Sequence, residues 1–419
     1  VATASTSNPV KRRTNRKDAA LVERAKQVIP GGMYGHMSVQ SRMPEGYPQF
    51  IEKAEGVNLW DADGNRYIDL MCAYGPMLIG YGHKRIDAAV AAQMSKRNTA
   101  TGPAPVLVDL AEAYCNQFEH AQWCLFAKNG TDATTLCVTI ARAQTGNRKI
   151  LVAKGAYHGA APWCTPAPAG VLTEDRAHLL HYEYNNVESL EAAAAQAGDD
   201  LAGVVASAFL HDAFRDQEEP TAEFARACRA LCDKTGAALI LDEVRAGLRL
   251  SLHGSWAHLG IEPDVSAWSK AIANGYPLAA VFGNNQFRTA ASNIYATGSF
   301  WFEAGPMAGA LETLQVVNEQ DLPAQLRNNG ERLRAGWQQQ AQANGFALKQ
   351  TGPVCMPMVL FDNDPKLDLG FRFVEHALNE GLYLHPWHNM FLSLGHTDAV
   401  IEEVLERSAR AFAALGEAG

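Results

Sequence analysis

Ala237-Ala238-Leu239-Ile240-Leu241-Asp242-Glu243-Val244 and Pro263-Asp264-Val265-Ser266-Ala267-Trp268-Ser269-Lys270 are the two stretches on which the fold turns. Each holds a short apolar run without the alternation of a half-exposed strand. Each ends in a charged side chain, Asp242 in the first and Lys270 in the second. Strands apolar on both faces belong to sheets covered on both sides, and these are mostly parallel.

The same pattern recurs outward from this pair. Lys149-Ile150-Leu151-Val152, Gly203-Val204-Val205-Ala206 and Leu278-Ala279-Ala280-Val281-Phe282 are strand-like, with helical stretches between them from about residue 85 to about residue 317. This alternation predicts βαβ units and an α/β fold built on a mostly parallel, buried sheet. Upstream, Asp61-Ala62-Asp63-Gly64-Asn65 separates Val57-Asn58-Leu59-Trp60 from Arg66-Tyr67-Ile68-Asp69-Leu70, a hairpin with turn chemistry at its centre. Helix over about 320–343, strands near Val359 and Leu382 and a last helix from about Asp398 suit a smaller α+β unit. The expected organisation is a disordered arm over 1–17, an N-terminal segment over 18–75 packing with the small domain, a large domain over 76–317 and a C-terminal small domain over 318–419. A first helix is expected from about Asp18 to Val28, stopped by Pro30-Gly31-Gly32.

Composition narrows the function. The 419 residues, 47% hydrophobic and 19% charged, are those of an ordinary globular protein, and the net charge of −9 offers no footprint for nucleic acid. No apolar run is long enough for a membrane span. The eight cysteines lack a CxxC pair, and the 13 histidines include no HExxH, so neither a disulfide framework nor a metal site is expected. Reduced thiols in the cytoplasm follow as the expectation.

Four stretches carry candidate chemistry. Lys128-Asn129-Gly130-Thr131-Asp132-Ala133 opens a helix, where free amides and the helix dipole make a phosphate cradle; plain helix capping is the other reading. In Lys154-Gly155-Ala156-Tyr157-His158-Gly159, Tyr157 or His158 is placed to stack on a flat ring or to plug the loop into the core. Asp242 either meets a ring nitrogen or caps the next helix, with Val244 beside it to pack on a ring face. Thr297-Gly298-Ser299 offers hydroxyls, or is an ordinary polar turn. A carboxylate and an amine at neighbouring strand ends are a pairing used for pyridoxal phosphate: the lysine carries the aldehyde as a Schiff base and the aspartate keeps the pyridine nitrogen protonated.

In this order the motifs resemble the class III aminotransferases of pyridoxal-phosphate fold type I, in particular the glutamate-1-semialdehyde aminomutase-like branch. The resemblance runs from about residue 21 to 415. Ile29-Pro30-Gly31-Gly32 is similar to that branch's entry motif, and Leu59-Trp60-Asp61-Ala62-Asp63-Gly64 with Tyr67-Ile68-Asp69 to its first hairpin. Asn129-Gly130-Thr131-Asp132-Ala133 resembles its Ser-Gly-Thr-Glu-Ala phosphate loop. Tyr157-His158-Gly159, Asp242-Glu243-Val244, Ser269-Lys270-Ala271 and Ser393-Leu394-Gly395-His396-Thr397 match its remaining signatures. The resemblance implies Lys270 as the cofactor lysine and proton shuttle, Asp242 as the ring-nitrogen partner, Val244 as the face packer and Tyr157 as the stacker. It also implies phosphate contacts from Gly130 and Thr131, and a homodimer with active sites at the subunit interface. Ser299, with Thr297 as second choice, would supply a hydroxyl to the partner's phosphate. The implied reaction moves an amino group between an amine or amino acid and a carbonyl acceptor, a keto acid or an aldehyde. The alternative on the same scaffold is an aminomutase, racemase or lyase.

Three departures bear on the substrate. The Glu-Pro that usually follows the strand before the aspartate is Phe209-Leu210 here. Relatives acting on amino acids often carry an arginine a few residues after Pro-Gly-Gly, where this chain reads Met33-Tyr34-Gly35-His36-Met37-Ser38 and the nearest arginine is Arg42. The 297–304 loop is rich in aromatics, with Phe300, Trp301 and Phe302. The expectation is a substrate other than a standard α-amino acid held by that arginine. Tyr34, Arg42, Arg245 and His385, with Arg249 and His388, are the candidate substrate contacts.

Overall fold

The structure, a computed structural model, describes residues 13–39, 42–211 and 215–417. Strands β1 (Ile51–Glu55), β2 (Asn58–Asp61) and β3 (Arg66–Asp69) form an antiparallel ribbon, to which Leu382–Tyr383 from the far end of the chain adds in parallel beside β3. The two ends of the chain thus share one sheet. β1 has no counterpart in the pattern reading, because four of its five residues are exposed and its sequence, Ile-Glu-Lys-Ala-Glu, carries no apolar alternation.

The large sheet contains β4 (Trp123–Ala127), β5 (Lys149–Ala153), β6 (Leu179–Tyr182), β7 (Leu201–Ser207), β8 (Ala238–Asp242), β9 (Val265–Trp268) and β10 (Ala279–Gly283), in the order β4-β10-β9-β8-β7-β5-β6. Neighbours from β9 through β8, β7 and β5 to β6 pair in parallel, and β10 runs antiparallel to both β4 and β9. Every residue of β7 and of β8 is buried. Val205, Ile240 and Ala267 pack with Ile140 and Ala141 of the helix Gly130–Thr145 on one face. Val204, Leu239 and Leu241 pack with Leu190, Phe224 and Cys228 of the helices Val187–Ala197 and Ala222–Thr235 on the other. Helices on both faces leave the strands no wet side, which explains their unbroken apolar runs.

The sequence reading places an unstructured arm through residue 17. Residues 1–12 lie outside the described residues, but residues 13–17 are tied down. The Asp63 carboxylate accepts the amides of Arg16, Lys17 and Asp18 at 3.0–3.1 Å, filling the donors that the first turn of the helix Arg16–Val28 leaves open. Arg13 donates to the Tyr67 hydroxyl at 2.9 Å. The pattern reading missed this because the capping group lies in the hairpin turn, far away in sequence. Among the described residues no helix is long and apolar enough to cross a membrane.

Candidate active site at the carboxyl ends of the parallel strands

Ligands of open α/β sheets sit outside the carboxyl ends of the strands. Asp242 is the last residue of β8 and Lys270 follows the end of β9, whose Ala267 pairs with Asp242 in register. Tyr157 and His158 lie beyond β5, and His211 beyond β7. These side chains line a cavity of about 260 Å³ together with Asn129, Gly130, Thr131, Val244 and Arg245.

Lys270 has φ +53°, a left-handed conformation that a lysine adopts only when its surroundings impose it. Its stem passes Gly75, where an added Cβ would stand 3.5 Å from Lys270 Cδ and 3.0 Å from the Phe391 ring. Burial, and then the charge of Arg245, push its amine down from 10.5 to about 7. Asp242 is held from two sides: Oδ1 accepts the Val244 amide at 3.0 Å, and Oδ2 lies 2.7 Å from Nδ1 of the buried His158. The His158 ring is parallel to that of Trp163, and its Nε2 is buried without a partner. His158 therefore braces the carboxylate; it is not the residue left free to stack.

The N-terminus of the helix Gly130–Thr145 forms another wall. Asp132 Oδ2 accepts the Asn129 amide at 2.8 Å, while the amides of Gly130 and Thr131 find no acceptor among the described residues. Thr131 is fixed in turn, its Oγ1 accepting the Ala160 amide at 3.1 Å. Gly159 takes φ +126° against it, where a Cβ would fall 2.5 Å from Thr131 Oγ1.

Arg245 and Arg249, four residues apart, have opposite surroundings. Arg249 is buried, and its Nε, Nη1 and Nη2 all donate to the carbonyls of Leu392 and Gly75, which fixes it as a structural clamp. Arg245 reaches the cavity, with Nη1 bonded to Asn389 Oδ1 and 3.2 Å from His388 Nε2. Burial lowers its guanidinium to about 10. His388 and His211 are held neutral, their pKa values pushed well down by burial and then by the Arg245 charge.

The profile of the family described as Aminotransferase class-III matches residues 39–412. The chain belongs to this family. An aminopentol aminotransferase of Sphingopyxis macrogoltabida is 50% identical over 402 residues, covering 96% of this chain and 94% of the relative. A 3-aminobutyryl-CoA aminotransferase of Cloacimonas acidaminovorans (strain Evry) is 28% identical over 395 residues, covering 93% and 95%. Among solved structures, the PLP internal aldimine form of the Sphingopyxis sp. MTA144 FumI protein matches with a TM-score of 0.94 and 49% identity, over 95% of this chain and 96% of that one. The fold is pyridoxal-phosphate fold type I, and the enzyme is a pyridoxal-phosphate-dependent aminotransferase.

This aminotransferase's own residues fit that cofactor. Two unpartnered amides at the start of a 16-residue helix suit a phosphate. Gly130 is required where it stands, because a Cβ there would meet Val244 Cγ1 at 2.7 Å. The Lys270 amine makes no hydrogen bond among the described residues, leaving a group of lowered basicity for an aldehyde.

Other candidate residues stand apart from the cavity. Thr297 and Ser299 are exposed and do not line it. Tyr34 is 72% exposed and Arg42 is also exposed. His385 is buried, with its Nδ1 accepting the amides of Trp387 and His388, and its basicity is lowered to about 3 by burial. That makes it the centre of a turn. His211 was missed in the sequence; the signal was the replaced Glu-Pro, Phe209-Leu210, immediately before it.

Proposed function

We propose that this enzyme takes its amino group from an amine that carries no carboxylate on the reacting carbon, and passes it to a carbonyl acceptor. The observation that carries this reading is the stretch after Pro30-Gly31-Gly32, which has no arginine through Ser38 and leaves Arg42 outside the cavity. The activities for which the two relatives are named, on an aminopentol and on 3-aminobutyryl-CoA, support it, since neither substrate is an α-amino acid.

When bound, pyridoxal phosphate supplies an aldehyde that the enzyme and substrate amines can capture in turn, and a ring that draws electrons from the breaking C–H bond. Lys270 would hold the cofactor's aldehyde between turnovers. Its neutral Nζ takes the proton from the carbon bearing the amino group and delivers it on the same side, as a general base and then acid. Asp242, braced by His158 Nδ1 and the Val244 amide, would keep a proton on the ring nitrogen. Val244 and Tyr157 would bound the ring's two faces, and the Gly130 and Thr131 amides would anchor the phosphate. Asn129 holds the loop in place through Asp132.

We also read the enzyme as a homodimer in which Ser299, or Thr297, serves the partner's phosphate. Supporting this, the loop is exposed and accompanied by bare aromatics, Tyr295 at 93% and Phe300 at 61%. The proposed division is a large domain over 76–317 and a small domain from 18–75 with 318–419, supported by the pairing of Leu382–Tyr383 with β3. Eight unbridged cysteines support a cytoplasmic setting.

A donor scan tests the central reading. The holoenzyme's visible band is followed on adding a 2-amino alcohol, a simple primary amine, alanine and glutamate. Bleaching by the first two is expected; bleaching by alanine or glutamate alone would sink the proposal.

A further inference from the structure

We infer that Cys115 and Cys124 form a redox site, which a small disulfide such as oxidised glutathione closes into a reversible intramolecular disulfide.

The pair is set apart from the other cysteines by its position. The two sulfurs lie 3.7 Å apart across two elements, Cys115 in the last turn of the helix Val106–Gln117 and Cys124 in the edge strand β4. No other two thiols are hydrogen-bonded to each other among the described residues. Cys72, Cys137, Cys228, Cys232 and Cys355 are buried, whereas Cys115 and Cys124 are each half-buried. Cys164 is half-buried too, but burial pushes its thiol up to about 11.

The surroundings divide the work between the two thiols. The thiolate is the nucleophile, and it forms where hydrogen bonds and positive charge favour it. The hydrogen bond from Cys124 lowers the Cys115 thiol below its ordinary value, and the Arg288 charge acts in the same direction. Arg288 is held in place by the Gln122 carbonyl, in the segment between the two cysteines. Cys124 shifts the opposite way, raised by that same hydrogen bond and then by burial. Cys115 therefore attacks, and Cys124 stays protonated beside it as the resolving thiol.

The geometry allows closure. A disulfide holds its sulfurs about 2.05 Å apart, so about 1.7 Å of combined movement completes the bond. A helix end and an edge strand can supply it, since β4 pairs on one side only, with β10. In the first step the Cys115 thiolate attacks one sulfur of oxidised glutathione. A mixed disulfide forms, and one glutathione leaves as a thiolate that takes up a proton. Cys124 then loses its proton, attacks the Cys115 sulfur and expels the second glutathione. Two protein thiols are oxidised and one glutathione disulfide is reduced to two thiols, so atoms and electrons balance. In a reducing compartment the pair rests open and closes when the disulfide pool rises. Neither cysteine lines the cavity, so this chemistry is separate from amino transfer.

The test incubates reduced, desalted holoenzyme with oxidised glutathione, quenches with acid and reads the intact mass and the peptide map. The wild type should lose two hydrogens, yield a peptide joining Cys115 to Cys124 and fall from eight titratable thiols to six, with dithiothreitol restoring all eight. Cys124→Ser, whose hydroxyl still donates to Cys115, should stop at one glutathione on Cys115. There Cys115 should react at least ~10-fold faster than Cys164. Cys115→Ser should gain neither the adduct nor the cross-link. The inference is overturned if Cys115 stays free while Cys164 reacts, or if the cross-link joins any other two cysteines. A wild-type glutathione adduct as durable as that of Cys124→Ser also overturns it, because Cys124 then resolves nothing. If a variant fails to fold, the wild-type peptide map alone decides.

Discussion

Gly130 and Val244 fit so closely that a single methyl group cannot be placed between them. A Cβ on Gly130 would stand 2.7 Å from Val244 Cγ1 and 3.2 Å from Cγ2. The helix start that offers free amides and the turn that carries Asp242 are thereby set against each other, so the two ends of the cofactor site share one contact.

Gly130→Ala should push the two walls apart and cost about tenfold in cofactor affinity, the order expected for overpacking by one carbon. Trimming the partner in Gly130→Ala/Val244→Ala should recover part of that loss. Fluorescence titration of apoenzyme with pyridoxal phosphate measures both. A double variant no better than the single one would place the damage elsewhere.

Asp242→Asn keeps an acceptor for the Val244 amide and a similar shape, but loses the charge proposed to hold a proton on the ring nitrogen. Bound cofactor should remain, while turnover falls by roughly 10²–10⁴, the range for loss of acid–base support. Absorbance of the purified variant and stopped-flow amine turnover separate the two effects. Full turnover in this variant would remove Asp242 from its role.

Lys270 provides a pH signature. Burial and the Arg245 charge lower its amine to about 7, so the neutral, nucleophilic form accumulates as pH rises through that value. The rate at which apoenzyme captures pyridoxal phosphate should climb with a midpoint near pH 7 and then level off. In Arg245→Gln the midpoint should move up, since a repelling charge is gone. A wild-type midpoint above pH 9 would show that the amine is solvated as an ordinary lysine.

The sheet was legible in the sequence because burial on both faces leaves an unmistakable apolar run, as in β7 and β8. The site was legible where chemistry sits at strand ends: Asp242, Lys270 and Tyr157 are close in space because parallel strands end on the same edge. Three kinds of feature were not legible. β1 is an exposed edge with polar side chains, so its pairing depends on β2 and not on its own pattern. Asp63 caps a helix distant in sequence. The roles of His158 and Arg245 depend on which atoms find partners, which composition cannot express. His385, a plausible polar contact in the sequence, is spent holding the turn at Trp387 and His388.

Glu243, next to Asp242, points away from the chemistry and into the core. It is 1% exposed, its Oε1 accepts the Ser255 amide at 2.7 Å, and Oε2 meets the Ser255 hydroxyl. Burial raises its carboxyl from 4.5 to about 7. The folded chain therefore binds this proton more tightly than the unfolded chain does. The resulting stabilisation is complete below about pH 4.5 and is lost as pH rises through about 7. Glu243→Gln keeps an acceptor for the Ser255 amide and replaces the titrating oxygen with an uncharged donor. Its unfolding free energy should vary less between pH 5 and 8, and by pH 8 it should exceed wild type by on the order of 2 kcal/mol. Asp69, raised to about 6 by burial, contributes with the same sign in both proteins, so the comparison isolates Glu243. Urea unfolding at both pH values measures the difference, and parallel pH profiles for the two proteins would show that Glu243 does not titrate in this range.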